Sequence, residues 1–454
     1  MQCPTGGGKT VIAAKMCGTV NEKKRRAFFI AHRDFLLEQT SLTFDRAAIP
    51  HSFIAAGGFP HNPHMRIQVC GVATLARRLD RVAAPDIIFW DECKHIAAST
   101  YQKVFEWAGP NCKHVGLDAT PVRLDGKGLD LAFQSIVLGP TVAWLIENGF
   151  LSEYRAYAPS APDLSGVHTT AGDFNRGELV DVMDKGAIVG NMVGHYKALA
   201  GGRRAVYFAV SVEHSQHIAA AFNAAGIPAR HLDASSSTQE RSQAARDFAR
   251  GKLSVLVNVD LFGEGYDLAA QAGQDVAIDC VGLARPTQSL ALHLQQCGRA
   301  LRPAPGKEYA VILDHAGNLA RHGLPDDERE WTLAGRSKKQ KDTGPIVRQC
   351  PECYGVHPAT KPACPYCGYV HPKGEGGRAV EEQDGDLKEI DVKAMRAARA
   401  REEWQCQTIE DLIRLGVRRG YSEPEKWAGY KWTARQAAAQ RRVEAQAAQY
   451  RMRF

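Results

Sequence analysis

Residues 4–10 read Pro4-Thr5-Gly6-Gly7-Gly8-Lys9-Thr10. A glycine-rich turn of this kind offers successive backbone N–H groups to an anion, Lys9 can reach terminal phosphates, and the Thr10 hydroxyl can ligate Mg²⁺. Further along, Asp91 and Glu92 follow directly on the apolar run Asp86 to Trp90. At the carboxyl edge of a parallel sheet such a pair divides the work: Asp91 holds the Mg²⁺ shell, and Glu92 takes the proton from the attacking water. A third group, Gln295, Arg299 and Arg302, lies within Gln295-Gln296-Cys297-Gly298-Arg299-Ala300-Leu301-Arg302-Pro303. Planar guanidinium forks on one helical face match phosphate oxygens and neutralise transition-state charge, provided that two domains close on one another. The fourth group is Cys350, Cys353, Cys364 and Cys367, two CxxC pairs. Paired CxxC turns can present four thiolates to one tetrahedral Zn²⁺, which leaves no open position and marks a structural metal; a redox dithiol pair is the alternative.

These groups must be carried by regular elements. Ala27 to Ala31, Ile67 to Val72, Asp86 to Trp90 and His114 to Leu117 are short β-rich apolar runs, each followed by a longer helical stretch. Ala205 to Val210, Ser254 to Val259, Asp275 to Val281 and Glu308 to Asp314 form a second set of the same texture. Alternation of this sort predicts α/β architecture with parallel sheets covered on both faces, here two doubly wound domains in tandem. The predicted organisation is a first domain over 1–158, a Gly/Asp/Ser/Thr-rich linker over 159–186, and a second domain over 187–335. A basic linker with the cysteine cluster then occupies 336–372, an acidic connector 373–392, and a helical tail 393–454. The tail has 14 Lys+Arg against 7 Asp+Glu, a net +7 that equals the excess of the whole chain. Its Trp404, Tyr421, Trp427, Tyr430 and Trp432 either stack on unpaired bases or bury a small helical subdomain; amphipathic spacing favours burial. The charge tolerates a polyanionic partner without establishing one. No run approaches the ~18 apolar residues of a spanning helix, and the N-terminus lacks the order of a secretory signal. The other eight of the 12 cysteines are scattered without pairing rhythm, which suits reduced thiols and a cytoplasmic protein.

Taken in order, the blocks resemble the motif series of superfamily 2 DEAD/DEAH-box helicases, in particular the type III restriction-like branch frequent in phages and bacteria. The resemblance spans about residues 1–335. Residues 4–10 resemble a Walker A loop, Ile30-Ala31-His32-Arg33 motif Ia, Val72-Ala73-Thr74-Leu75-Ala76 motif Ib, and Asp91-Glu92-Cys93-Lys94 motif II. Gly116-Leu117-Asp118-Ala119-Thr120-Pro121 is similar to motif III, and Phe208 to Ser211 to motif IV. Asn258-Val259-Asp260 with Gly263-Glu264-Gly265-Tyr266-Asp267 is similar to motif V, and Gln295 to Arg302 to motif VI.

The resemblance implies two RecA-like domains followed by a zinc ribbon and a helical tail, with ATP, Mg²⁺ and a structural Zn²⁺ as cofactors. Lys9, Thr10, Asp91 and Glu92 would bind and hydrolyse MgATP, Gln295, Arg299 and Arg302 would complete the site, and Gly265 and Asp267 would approach the nucleotide. His32, Arg33, Thr74, Ser211 and Asn258 fall where the family meets the nucleic-acid backbone, with DNA favoured over RNA, while Thr74 and Ser211 also suit helix caps. Lys94, Asp118, Ala119 and Thr120 fall where hydrolysis is coupled to movement. Lys94 stands in place of the usual His or Asp, Asp118 in place of Ser or Thr, and the chain starts at the phosphate loop, so weakened coupling in a shortened product is also expected. A phage or bacterial motor is therefore the leading reading. The alternatives are a weakly active or inactive DNA-binding accessory and the motor subunit of a restriction system.

Overall fold

The computed structural model describes residues 1–123, 128–158, 166–170, 172–184, 186–262, 268–274, 276–334, 347–349, 356–358, 368–370, 388–390, 401–419, 423–433 and 435–436, with single residues 162, 164, 363 and 421. The first sheet has the order β2 (Ser52–Ile54), β3 (Ile67–Gly71), β1 (Ala27–Ala31), β4 (Ile87–Asp91), β5 (Lys113–Leu117), all parallel. Every residue of β1 is buried, and its side chains alternate between two cores. Phe28 and Ile30 join Trp90, Leu75 and Tyr101 on one face, while Phe29 joins Phe89, Ala13, Leu37 and Phe44 on the other. Burial of each such large side chain contributes about 1.5–3 kcal/mol. The covering helices are α1 (Lys9–Glu22), α2 (Asp34–Arg46), α3 (Val72–Leu75) and α4 (Ser99–Ala108). Beyond β5, Gln2 bridges in parallel to both Asp118 and Leu138. Residues 1–3 therefore run beside the end of β5 and deliver the phosphate loop to the carboxyl edge of the sheet.

The second sheet has the order β10 (Ala229–Leu232), β11 (Val255–Asn258), β9 (Ala205–Phe208), β12 (Cys280–Leu283), β13 (Tyr309–Asp314), β6 (Glu153–Ala158), β16 (Lys388–Ile390). Only β16 pairs antiparallel. After α5 (Val142–Glu147), whose Leu145 lies beside Gly7, the helices of this half are α6 (Arg176–Met183), α7 (Gly186–Ala200), α8 (Val212–Ala224), α9 (Thr238–Ala249), α10 (Leu268–Ala272), α11 (Leu290–Ala300) and α12 (Asn318–His322). A capping box, Ser237 with Glu240, starts α9.

Three expected boundaries are corrected. Glu153–Ala158 pairs with β13 and so belongs to the second sheet, not to a first domain ending at 158. Within the expected linker 159–186, Asp173–Phe174 (β8) pairs with Thr169–Thr170 (β7), and Leu179 and Met183 of α6 enter the second core. The strand expected at Asp275 to Val281 starts only at Cys280: the amide of Cys280 goes to the Arg204 carbonyl, while Val276, Ala277 and Ile278 line a cavity.

Residues 328–330, 338–375 and 391–454 form a separate unit. In it α13 (Ile409–Arg418) is started by a Thr408–Asp411 capping box and packs Leu412 and Leu415 against Trp427 and Ala428. Tyr421 and Trp432 join that cluster, which is the burial role for the tail aromatics; Trp404 and Tyr430 are exposed. The same unit holds an antiparallel pair, β14 (Val347–Gln349) with β15 (Val356–Pro358), and an antiparallel bridge between Ala363 and Val370. Cys350, Cys353, Cys364 and Cys367 lie outside the described residues. Among the described residues no helix is long and apolar enough to cross a membrane.

Candidate nucleotide site

The loop at residues 4–8 closes on a Gly7 amide donating to the Pro4 carbonyl at 2.9 Å. Gly6 and Gly8 have φ of 82° and 85°, a left-handed conformation that glycine adopts without strain. Gly8 starts α1, so the first free amides of a 14-residue helix face outward at Lys9 and Thr10. Lys9 Nζ donates to the Cys3 carbonyl at 3.3 Å, which keeps the ammonium over the loop. Cys3, where such loops usually begin with a smaller residue, is buried and its thiol donates to the Gly7 carbonyl at 3.1 Å.

Asp91 ends β4, and Glu92 turns off the strand with φ 47° and ψ 55°, a left-handed conformation unusual for a residue with a side chain. Both are buried, as is Asp118 just after β5. Burial raises the Asp91 carboxyl above its ordinary range, Glu92 adding to the rise and Lys9 opposing it. Burial and Glu92 likewise raise Asp118. Lys94 answers part of this charge: its Nζ lies 2.8 Å from Glu92 Oε2. The Lys94 amide donates to Asp118 Oδ2 at 3.0 Å, and the Thr120 amide to Asp118 Oδ1 at 2.9 Å. Asp118 is therefore a backbone clamp joining the ends of β4 and β5, with its carboxylate spent on amides. Ala119 is buried, and its carbonyl accepts from the Gln2 side chain at 3.0 Å.

The second half of the site comes from α11, started by the Ser289 hydroxyl accepting from the Leu292 amide. Gly298 sits directly on the phosphate loop: a Cβ there would lie 2.8 Å from Thr5 Cβ. A Cβ on Gly6 would lie 2.9 Å from Leu151 Cδ2 and 4.0 Å from Arg302 Cγ. Gln295 and Arg299 are buried and Arg302 is exposed. Among the described residues the buried Gln295 Nε2 and Thr120 Oγ1 find no hydrogen-bond partner.

The remaining expected residues divide. The His32 ring lies 5.2 Å from the His95 ring, tilted by 55°, and Arg33 is the N-cap position of α2. Ser211 caps α8, its hydroxyl accepting from the His214 amide. Thr74 is buried within α3. Asn258 is fully buried, its Nδ2 donating to the Tyr207 carbonyl and its Oδ1 accepting from the Phe262 amide. Gly265 and Asp267 lie outside the described residues. An ion-pair network beside this motif is not signalled by spacing. Arg285 reaches Asp260 and, at 3.4 Å, Asp173; Asp260 also pairs with Arg176 at 2.5 Å. It ties β8 and α6 to a left-handed Asp260, across as many as 112 residues of sequence.

The donor set suits MgATP. A glycine cradle, a lysine and a helix N-terminus suit phosphates, and the orphaned Gln295 amide suits an added acceptor. Among the described residues no cluster of three or more His, Cys, Asp or Glu has metal-holding geometry. Mg²⁺ commonly takes one or two protein ligands together with substrate phosphates, which Asp91 and Thr10 can provide.

Two parallel sheets sharing such a loop and such an arginine helix define a helicase-type NTPase fold of tandem RecA-like domains. The family model for the type III restriction enzyme res subunit matches residues 1–123, and that for the helicase conserved C-terminal domain matches 187–304. The chain is 33% identical over 374 residues to a 51.5 kDa protein of a Lactococcus phage (isolate 7-9), covering 81% of this chain and 77% of that one. The chain belongs to the same family as that phage protein and carries a res-subunit region of the type III restriction enzyme kind and a helicase conserved C-terminal domain. It is also 27% identical over 333 residues to the Saccharomyces cerevisiae protein named "Putative ATP-dependent helicase IRC3", covering 69% of this chain but only 47% of that protein. Among solved structures, a DNA-bound ATP-dependent type ISP restriction-modification enzyme aligns over 68% of this chain and 26% of its own, with TM-score 0.47 and 16% identity.

Proposed function

We propose that the protein is an ATP-driven helicase or translocase acting on DNA. The observation that carries this reading is the approach of Gly298 and Arg302 to Thr5 and Gly6, which brings the arginine helix of the second sheet to the phosphate loop of the first. Lys9 and the loop amides would hold the phosphates, and Thr10 with Asp91 would hold Mg²⁺, which supplies charge neutralisation at the phosphates. Glu92, directed off β4 by its left-handed backbone, takes the proton of the attacking water. Gln295, Arg299 and Arg302 respond to charge on the terminal phosphate. His32, Arg33, Thr74 and Ser211 remain the proposed strand contacts, and the restriction-subunit match supports DNA over RNA. The test is ATP-dependent strand displacement on tailed DNA and RNA duplexes. Displacement of the DNA duplexes is expected, and activity confined to RNA would overturn the substrate.

The second reading, a weakly hydrolysing DNA-binding accessory, is favoured by the Lys94–Glu92 ion pair, which engages the catalytic carboxylate. Cys350, Cys353, Cys364 and Cys367 would hold one structural Zn²⁺. The pairing of Val347–Gln349 with Val356–Pro358 brackets the first CxxC in sequence, and the Ala363–Val370 bridge brackets the second. About one Zn²⁺ per chain by elemental analysis, lost in Cys353→Ser/Cys364→Ser, is expected; a metal-free folded protein would reject it.

A further inference from the structure

The end of α11 is held by a side chain that the chemistry above does not use. Lys307 lies in the turn between α11 and β13, and its ammonium donates to three backbone carbonyls: Ile278 at 2.8 Å, Arg302 at 2.8 Å, and Ala300. Ala300 is the last residue of α11 and follows Arg299 directly; Arg302 lies two residues beyond it. Carbonyls at a helix C-terminus have no intrahelical partner and carry the negative end of the dipole, so a buried cation there is favoured. Ile278 precedes β12 and lines one cavity with Arg299, Arg302, Phe262 and Leu268. A lysine is the side chain that suits three converging carbonyls, because its ammonium has three rotatable donors and no acceptor. An apolar residue of the same length would fill the space and leave the carbonyls unpaired.

We propose that Lys307 is a positioning residue for ATP hydrolysis: by bonding the Ala300, Arg302 and Ile278 carbonyls it fixes the last turn of α11, and so the place where Arg299 and Arg302 present their guanidinium groups beside the phosphate loop. This rests on the reading of α11 as part of the nucleotide site. It predicts a proton dependence with a distinctive sign. Burial lowers the Lys307 pKa to about 8; Asp279 opposes that shift, Arg203 and Arg204 add to it, and Cys280 is the remaining titratable neighbour. Asp279 is itself 3.5 Å from Arg204, so it does not belong to Lys307 alone. Positioning needs the protonated form, so turnover falls as pH rises through about 8. Folding stability moves the other way on this group's account. Between about 8 and the ordinary 10.5 the unfolded chain binds more protons than the folded one, so Lys307 makes stability rise with pH there.

The test compares the full-length parent, Lys307→Met and Lys307→Arg by peptide-resolved hydrogen exchange and by steady-state ATPase across pH. Lys307→Met is expected to speed exchange of the amides at 299–304 about tenfold and to lower kcat about tenfold with KM within about twofold, the scale of losing a partly buried cation at a helix end. Lys307→Arg should restore protection and most of kcat, and its kcat should no longer fall above pH 8. Unchanged protection at 299–304 in Lys307→Met overturns the proposal, whether or not the protein hydrolyses ATP. If protection is lost but kcat is unchanged, the link to hydrolysis is wrong. If Lys307→Met does not fold, the parent and Lys307→Arg decide: identical pH profiles overturn the proposal. A parent that hydrolyses no ATP removes the motor reading, and exchange alone then tests Lys307.

Discussion

The two edges of the nucleotide site are built in different ways. On the first sheet, Asp91, Glu92 and Lys94 are near neighbours in sequence, and one buried carboxylate, Asp118, clamps their loop to the next strand. On the second sheet, Asp260 and Arg285 are held by Asp173 and Arg176, residues of a hairpin and helix far away along the chain. The first edge carries the proposed reacting groups on a short, dense scaffold. The second edge ties the approach to its arginine helix through long-range ion pairs between the buried Arg285 and the more exposed Asp173, Asp260 and Arg176. Chemistry on one side and response on the other is the division that this difference implies.

That division can be broken by substitution. Arg302→Ala removes a charge from the responding edge only, and loss of such an arginine can cost ~10³-fold in phosphoryl transfer. Steady-state phosphate release should therefore collapse while ATP affinity measured by equilibrium binding stays within a small factor. Glu92→Gln acts on the reacting edge and should slow release by at least the ~10²-fold typical of a positioned base, again with nucleotide binding retained. Turnover equal to the parent in that variant would contradict the role given to Glu92. Gly298→Val tests the junction itself, since its Cβ would meet Thr5 at 2.8 Å. Overpacking of this kind costs about 1–3 kcal/mol, and a drop in ATP-stimulated rather than basal stability would place the strain at the loop. Asp260→Asn keeps a residue tolerant of the left-handed backbone while removing the shared charge. Because Asp260 is 42% exposed, chemical denaturation should show a loss of only about 1 kcal/mol.

How much of this was legible in the sequence follows from where each signal resides. Strand β1 and the Ile87 to Trp90 part of β4 announce themselves because they are largely buried and read as unbroken apolar runs, and β3 does so with only Gln68 interrupting it. The strand β10 reads Ala-Arg-His-Leu and β6 reads Glu-Tyr-Arg-Ala-Tyr-Ala, with charged residues among the apolar ones, so neither stands out. The phosphate loop and Asp91-Glu92 are legible because their chemistry is contiguous. Asp118 stands where the resemblance has Ser or Thr, and its carboxylate accepts from two backbone amides, which a sequence pattern does not display. Asn258 matched a motif position, but its amide is consumed inside the core. The Asp173–Arg285–Asp260–Arg176 network has no local signature at all, because only the folded sheet brings these residues together.

The central claim is that one nucleotide site is shared by both sheets. Hydrogen exchange of the full-length protein, with and without a non-hydrolysable ATP analogue and Mg²⁺, tests it without depending on turnover. Protection is expected in the peptides covering residues 3–12 and, in the same sample, in those covering α11 and residues 299–303. Protection confined to the phosphate loop, with α11 exchanging as it does without nucleotide, would contradict the shared site.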